Sequence, residues 1–195
     1  MAPIKIKKPK RSYSGEKWKT NRANKKWLEK DFSNRCAYCD DWDLFNGKSR
    51  SYHVEHFAPK DKFPALEFKY ENLLYACPYC NGAKSNKWPS SDPTKNVIGD
   101  KGFLDPCEDE YYKHLHRNND GSIGYDTLLG KYIYEELGLN LFHHKAIYRI
   151  TSIDTYLDRL DEKIKILEAK GCDTTKLNKI KLMMLDEFRH LIKSY

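Results

Sequence analysis

The clearest periodicity in the chain lies near its C-terminal end, where Ile150, Ile153, Leu157, Leu160, Ile164 and Leu167 recur at spacings of three and four. That period puts all six on one face of an α-helix. Gly171 suits the position just past a helix end, where a left-handed residue closes the last turn. Asp173 or Thr174 can cap a following helix, whose own apolar face is Leu177, Ile180, Met184, Phe188 and Leu191. The pattern predicts an antiparallel helical hairpin over 141–195, its stripe packed as core against the rest of the chain or left as a docking surface for a partner. Upstream the texture changes. Residues 20–32 predict a short helix, Tyr52 to Phe57 reads as a strand ended by Pro59, and Asn46-Gly47 is a turn signal. Leu73 to Cys77 is an apolar run, and Asn81 to Lys87 predicts the opening turns of a helix stopped by Pro89. Residues 91–140 are loop-rich, with Pro93 and Pro106, a hairpin signal from Asn118 to Gly121, and a helix capped by Asp126 or Thr127 that ends at Gly138. Short strands beside separate helices indicate the α+β class.

A chain of 195 residues with 39% hydrophobic and 32% charged residues is polar but long enough for one domain core, helped by its Tyr and Trp content. No apolar run is long enough to cross a membrane, and the first ten residues lack the hydrophobic centre of a signal peptide, so the expected location is the cytoplasm. The net charge of +7 is concentrated at the N-terminus. Residues 1–30 carry eleven Lys/Arg against only Glu16 and Glu29, interspersed with Tyr13, Trp18 and Trp27. Such a basic, aromatic segment suits a phosphate backbone, because neutralised phosphates release counterions; a solvated tail has the same composition. Charge alone does not choose between them.

Six cysteines are present, and four of them form two Cys-x-x-Cys pairs, Cys36/Cys39 and Cys77/Cys80. Each pair brings two thiolates together, and two pairs complete a tetrahedral four-sulfur zinc site. With no open coordination position, that zinc is structural. Cys107 and Cys172 are unpaired in sequence and read as ordinary thiols.

The 37 residues between the two half-sites contain His53-Val54-Glu55-His56-Phe57-Ala58-Pro59-Lys60 and Asn72-Leu73-Leu74, and Asn81-Gly82-Ala83-Lys84 follows the second half-site directly. An acid, an imidazole and two asparagines around a metal staple resemble the HNH nuclease family over residues 36–87. That family's pattern is met by Cys36/Cys39, Glu55-His56 with Pro59, Asn72-Leu73, and Cys77/Cys80-Asn81 with Lys84. Asn81 stands where the name-giving pattern has His, and Glu55 where Asp is more frequent. The resemblance implies a small ββα core at 31–90, between a basic arm at 1–30 and an extension at 91–140.

It also implies roles. His56 would be the general base, an imidazole being suited to that at neutral pH once its other nitrogen is oriented. Glu55 and Asn81 would hold one Mg²⁺ or Mn²⁺ through oxygen ligands, with His53, on the same strand face as Glu55, as an additional candidate. Asn72 would brace the loop behind His56. Lys84, Lys60 and Lys87 are candidate nucleic-acid contacts. Glu55 and His56 are neighbours, so both reach one phosphate only where the strand bends. His114 and His116 form a His-x-His without an acidic partner at metal spacing and read as hairpin surface.

A narrower likeness, carried by Glu55-His56-Phe57, Phe63-Pro64, Phe103-Leu104-Asp105-Pro106, Gly121 and Leu137-Gly138-Leu139-Asn140, is to the HNH proteins of Septu and retron-associated anti-phage systems. It implies an ABC-type ATPase partner, with the helical hairpin as a docking element. The expected activity is metal-dependent hydrolysis of nucleic acid, DNA before RNA. The alternatives are a zinc-stapled binding module without catalysis and a nuclease subunit silent without its partner.

Overall fold

Tyrosines, unusually, make much of the interior of this polar chain. Tyr38, Tyr52, Tyr75 and Tyr111 are each buried to 1% exposure or less. A buried phenol usually finds a hydrogen-bond partner for its hydroxyl, and three of these four do, Tyr38 finding none among the described residues. Tyr52 donates to the Asp41 carbonyl at 2.8 Å, Tyr111 to the Tyr38 carbonyl at 2.9 Å, and Tyr75 to the Asp43 carboxylate at 2.7 Å. Leu28, Leu73, Leu74, Phe103 and Leu115 fill the space between the rings.

The computed structural model describes residues 2–13 and 20–194. Lys17, Trp18 and Lys19 of the basic segment lie outside the described residues. The elements in chain order are β1 (Ala2–Pro3), α1 (Asn21–Asp31), β2 (His53–His56), β3 (Leu73–Ala76), α2 (Pro78–Lys84), β4 (Val97–Ile98), β5 (Lys101–Gly102), β6 (Leu115–Arg117), β7 (Ile123–Tyr125), α3 (Leu128–Glu136), α4 (Phe142–Glu168) and α5 (Thr175–Ser194). The fold is α+β, as the sequence predicts. β2 and β3 pair antiparallel, with His53 opposite Ala76 and His56 opposite Leu73, and α2 follows β3 after a single residue. This is the ββα unit. β1, β6 and β7 make a second antiparallel sheet, and β4–β5 a third.

α2 begins three residues earlier than the pattern predicts. Cys77 is its N-cap, its sulfur accepting the Cys80 N–H at 3.4 Å, and Pro78 occupies the first turn, where no N–H is needed. The second Cys-x-x-Cys is therefore the opening turn of the helix and not a loop before it. α3 is capped by Thr127, whose hydroxyl accepts the Gly130 N–H at 2.9 Å, and is closed off at Gly138 with φ +63.

The N-terminal segment is laid along the folded body over residues 2–13. Ile4 is fully buried, and Lys5 donates to the Cys36 carbonyl at 2.6 Å. Arg11 donates to the Leu73 carbonyl and to both carboxylate oxygens of Asp105. These two cations serve the fold, whereas Lys7 and Lys10 remain exposed.

The C-terminal pair of helices is present, and the helix α4 stripe divides along its length. Ala146, Ile147, Ile150 and Ile153 are buried in the first half and Leu160 and Ile164 in the second, and α4 packs on α5. α5 has no buried residue and packs on α4 with half-buried Leu177, Ile180, Met184, Phe188 and Leu191. A Lys181–Asp161 pair at 2.6 Å and an Arg149–Glu187 pair span the two helices. Leu182, Met183 and Ile192 stay exposed on the outer side.

His114 and His116 gain acidic neighbours that their sequence spacing does not show. His116 Nδ1 lies 2.8 Å from Asp126, and His114 Nε2 lies 3.1 Å from Glu110.

Arg117, at the end of β6, is fully buried and joins the parts. Its guanidinium donates to the carbonyls of Ile4, Gly121, His144 and Cys39, and it lies over the Tyr148 ring at 4.6 Å. Replacement by Met would take this donor from the buried carbonyls of Ile4, Gly121 and Cys39, costing about 3–5 kcal/mol. The expected result for Arg117→Met is a melting temperature lower by about 10 °C or more. An unchanged calorimetric transition would remove Arg117 from the set of residues that hold the fold.

Candidate functional site: a four-thiol centre beside an acid-imidazole cleft

Cys36 and Cys39 sit in the turn after α1, and Cys77 and Cys80 open α2. β3 brings the two turns together, because the Ala37 N–H donates to the Tyr75 carbonyl at 2.7 Å. All four sulfurs lie within 4.8 Å of one another and are fully buried. The Cys77 N–H donates to the Cys36 sulfur at 3.3 Å. Burial pushes the thiols of Cys39, Cys77 and Cys80 up, while at Cys36 hydrogen bonds from the other three outweigh the same burial and hold it well below its usual range. Four sulfur donors at this range can bind zinc, and a cation among them would relieve the crowding of four buried sulfurs.

Around this centre lies a collar that no spacing rule predicts. Lys5 and Arg117 serve the carbonyls of Cys36 and Cys39. Buried Asp41 accepts from His144 Nδ1 at 2.7 Å and lies 3.3 Å from His143 Nε2. His143 also packs on Tyr79, between the second pair of cysteines, with ring centroids 4.3 Å apart. Burial disfavours charge on His144, but the Cys39 sulfur and Asp41 carboxylate outweigh it and raise the ring to about 11. Asp41, despite its burial, is held at about 2 by His144, His143 and Arg117. The only sequence signal for this contact is the His-His doublet itself, 103 residues from Asp41.

On the other side of β2, a cleft of about 270 Å³ is lined by Glu55, His56, Lys60, Asp61, Asn81 and Asn86, among others. Glu55 and His56 both reach it because β2 ends at His56: Glu55 turns toward α2, and the His56 ring meets the following loop. His56 Nε2 lies 3.0 Å from the Glu67 carbonyl. A carbonyl only accepts, so that nitrogen carries the proton and Nδ1 is left as the ring's acceptor. Burial lowers the His56 pKa, against the pull of the Glu67 carbonyl. Asn72 bridges the loop: its side-chain oxygen accepts the Ala58 N–H at 2.8 Å, and its amide donates to the carbonyls of Ala58 and Leu66 at 3.0 and 3.3 Å. Phe57, Phe63 and Trp88 pack beneath the same loop.

Three of the expected contacts are placed differently. Lys84 is fully buried, 2.8 Å from Glu55 Oε1 and donating to the His56 carbonyl at 3.1 Å, so it is not a surface phosphate contact. Its position one turn after Asn81 points it at the strand and not at solvent. Lys87 pairs with Glu136 at 2.7 Å, away from the cleft lining. His53 is exposed and outside the cleft lining, so it does not join Glu55 there. Lys60 does line the cleft, about half exposed, 3.4 Å from Glu67.

Residues 36–87 match the family model described as HNH endonuclease. The chain is similar to Septu protein PtuB of Bacillus thuringiensis, 26% identical over 76% of this chain and 53% of that protein. It is also similar to Septu protein PtuB of Bacillus mycoides (strain KBAB4), 31% identical over 51% of this chain and 40% of that protein. A further relative is Septu protein PtuA of the same strain, 25% identical over 64% of this chain and 20% of that protein. The matches span about half or less of each relative's length. The HNH-family resemblance read from the motifs, and the narrower Septu likeness, are both present in these comparisons.

If the four-sulfur centre carries zinc, Cys77→Ser should release it and abolish cooperative melting, since such sites contribute roughly 10–16 kcal/mol to folding in zinc-finger peptides. Metal content by mass spectrometry and calorimetry check this together; a sharp, unshifted transition in a metal-free variant would count against a structural metal.

Proposed function

We propose that this chain is a nuclease that hydrolyses nucleic-acid phosphodiester bonds, DNA in preference to RNA, as part of an anti-phage defence system. The observation that carries the reading is the convergence of Glu55, His56 and Asn81 on one open cleft beside a four-cysteine staple. In this reading His56 Nδ1 takes a proton from water as the water oxygen attacks phosphorus, and the P–O bond to the leaving oxygen breaks. The Glu67 carbonyl holds the ring's other nitrogen, and Asn72 keeps that loop in register with β3.

Glu55 and Asn81 are the residues that would hold a divalent ion. Both offer oxygen, the donor type that hard Mg²⁺ or Mn²⁺ prefers, and both line the cleft. When bound, such an ion supplies charge stabilisation for the phosphate and the departing oxygen. Lys60, which lines the cleft and is about half exposed, would meet a backbone phosphate. The exposed Lys7 and Lys10 extend the candidate nucleic-acid surface.

The defence role and a partner follow from the Septu likeness. The partner proposed is an ABC-type ATPase, as the sequence resemblance implies, and the outer side of α5, with exposed Leu182, Met183 and Ile192, is a surface for it. A binding module without catalysis would leave the orientation of His56 by the Glu67 carbonyl without a use. Activity is proposed for the cytoplasm; among the described residues, no helix is long and apolar enough to cross a membrane.

Purified chain incubated with supercoiled plasmid and Mg²⁺ or Mn²⁺ should nick or linearise it, with loss of activity in EDTA and a fall of about 10²-fold or more in His56→Ala. Equal cutting by His56→Ala would remove His56 as the base. Absence of cutting by wild type, restored by the ATPase partner, would identify a subunit that is silent alone.

A further inference from the structure

Among the described residues, Lys84 is a fully buried cation beside the cleft, and its partners are two consecutive residues of β2. Its ammonium lies 2.8 Å from Glu55 Oε1 and 3.1 Å from the His56 carbonyl oxygen. Two ring faces lie near it, Phe103 at 5.5 Å and Trp88 at 6.0 Å, and Lys62 is close enough to oppose its charge. A fully buried ammonium is costly unless it is paired, and a Met of similar shape would fill the space without that cost. The charge at this position therefore calls for a use other than filling space. Held from α2, it ties the Glu55 side chain and the His56 backbone to the helix that carries Asn81, at the point where β2 stops.

We propose that Lys84 is the positioning residue of the cleft: it engages one oxygen of Glu55 so that the carboxylate presents the other toward Asn81, and it fixes the His56 backbone so that the imidazole stands beside it. This rests on the reading of Glu55 as an ion ligand. It has a consequence of unusual sign. A fixed cation this close to Glu55 repels a divalent ion bound to the same carboxylate and competes for its oxygen. Lys84 thus lowers the ion affinity of the cleft while aligning the groups that act on phosphate. A residue that merely supported the fold would, when removed, weaken ion binding and turnover together.

The test uses the full chain with whatever metal the four-sulfur centre carries left in place. Mn²⁺ binding is followed by the loss of the free-ion paramagnetic resonance signal, and plasmid nicking is measured at saturating Mn²⁺ in parallel. Glu55→Gln should weaken Mn²⁺ binding by about tenfold or more, which checks the ligand assignment by itself. Lys84→Met should bind Mn²⁺ about tenfold more tightly, and turn over about a hundredfold more slowly at saturation. Weaker or unchanged Mn²⁺ binding in Lys84→Met, alongside a Glu55→Gln variant that behaves as expected, overturns the role of Lys84 and leaves the nuclease reading standing. Unchanged Mn²⁺ binding in Glu55→Gln overturns the ligand assignment and the proposal with it. Should Lys84→Met lose cooperative melting, the double variant Lys84→Met/Glu55→Gln decides. Recovery of melting shows that the burden was the orphaned Glu55 carboxylate and supports the tie, and failure to recover overturns it.

Discussion

Four sulfurs packed within one buried pocket are the constraint from which the remaining architecture follows. Two chain segments must meet there, and their backbone carbonyls are taken out of water in the process. Each buried carbonyl then needs a donor from somewhere. Lys5 supplies one to Cys36 and Arg117 supplies one to Cys39, so the N-terminal segment and β6 are drawn to the same place. Asp41, stranded beside the first cysteine turn, draws in His144 and so the start of α4. A staple of two turns thereby recruits parts of the chain separated by more than a hundred residues.

The cleft is a product of the same arrangement. β3 runs into the second cysteine turn, that turn becomes α2, and α2 delivers Asn81 to the cleft and Lys84 to Glu55 and the His56 carbonyl. The loop from Phe57 to Lys69 closes the other side, anchored by Asn72 and by the packing of Phe63 on Trp88. Electrostatically the two regions differ. The sulfur centre is buried, with Lys5, Arg117, Asp41 and His144 around it, while the cleft is open, with the Lys84–Glu55 pair inside and exposed Lys60 and Asp61 at its edge.

Local signals made part of this legible in advance. The cysteine spacing, the Glu55-His56 pair, Asn72 and Asn81 are short-range motifs, and the helical pair at the C-terminus follows from periodicity alone. The cap of α3 at Thr127 and its end at Gly138 are likewise local chemistry. Long-range pairing was not legible. Nothing near Arg117 marks it as a buried hub, since an arginine on a short strand usually faces water. The same limit explains Lys84: helical phase places it one turn after Asn81, but only the packing of α2 on β2 says that this direction is inward. The basic N-terminus shows the converse. Its composition is that of a solvated segment, yet Ile4, Lys5 and Arg11 each find a specific place in the folded body.

The order in which the parts occur along the chain bears on synthesis. A polypeptide leaving the ribosome N-terminus first exposes Cys36 through Lys84 before Arg117 and His144 emerge. During that interval Lys5, the donor to the Cys36 carbonyl, is already out, whereas Arg117, the donor to the Cys39 carbonyl, is not. Any early cohesion of the ββα unit must then come from its own hairpin and from whatever the sulfurs bind. The later segments arrive at a nucleus already shaped, and their arginine and histidine side chains seal it against solvent.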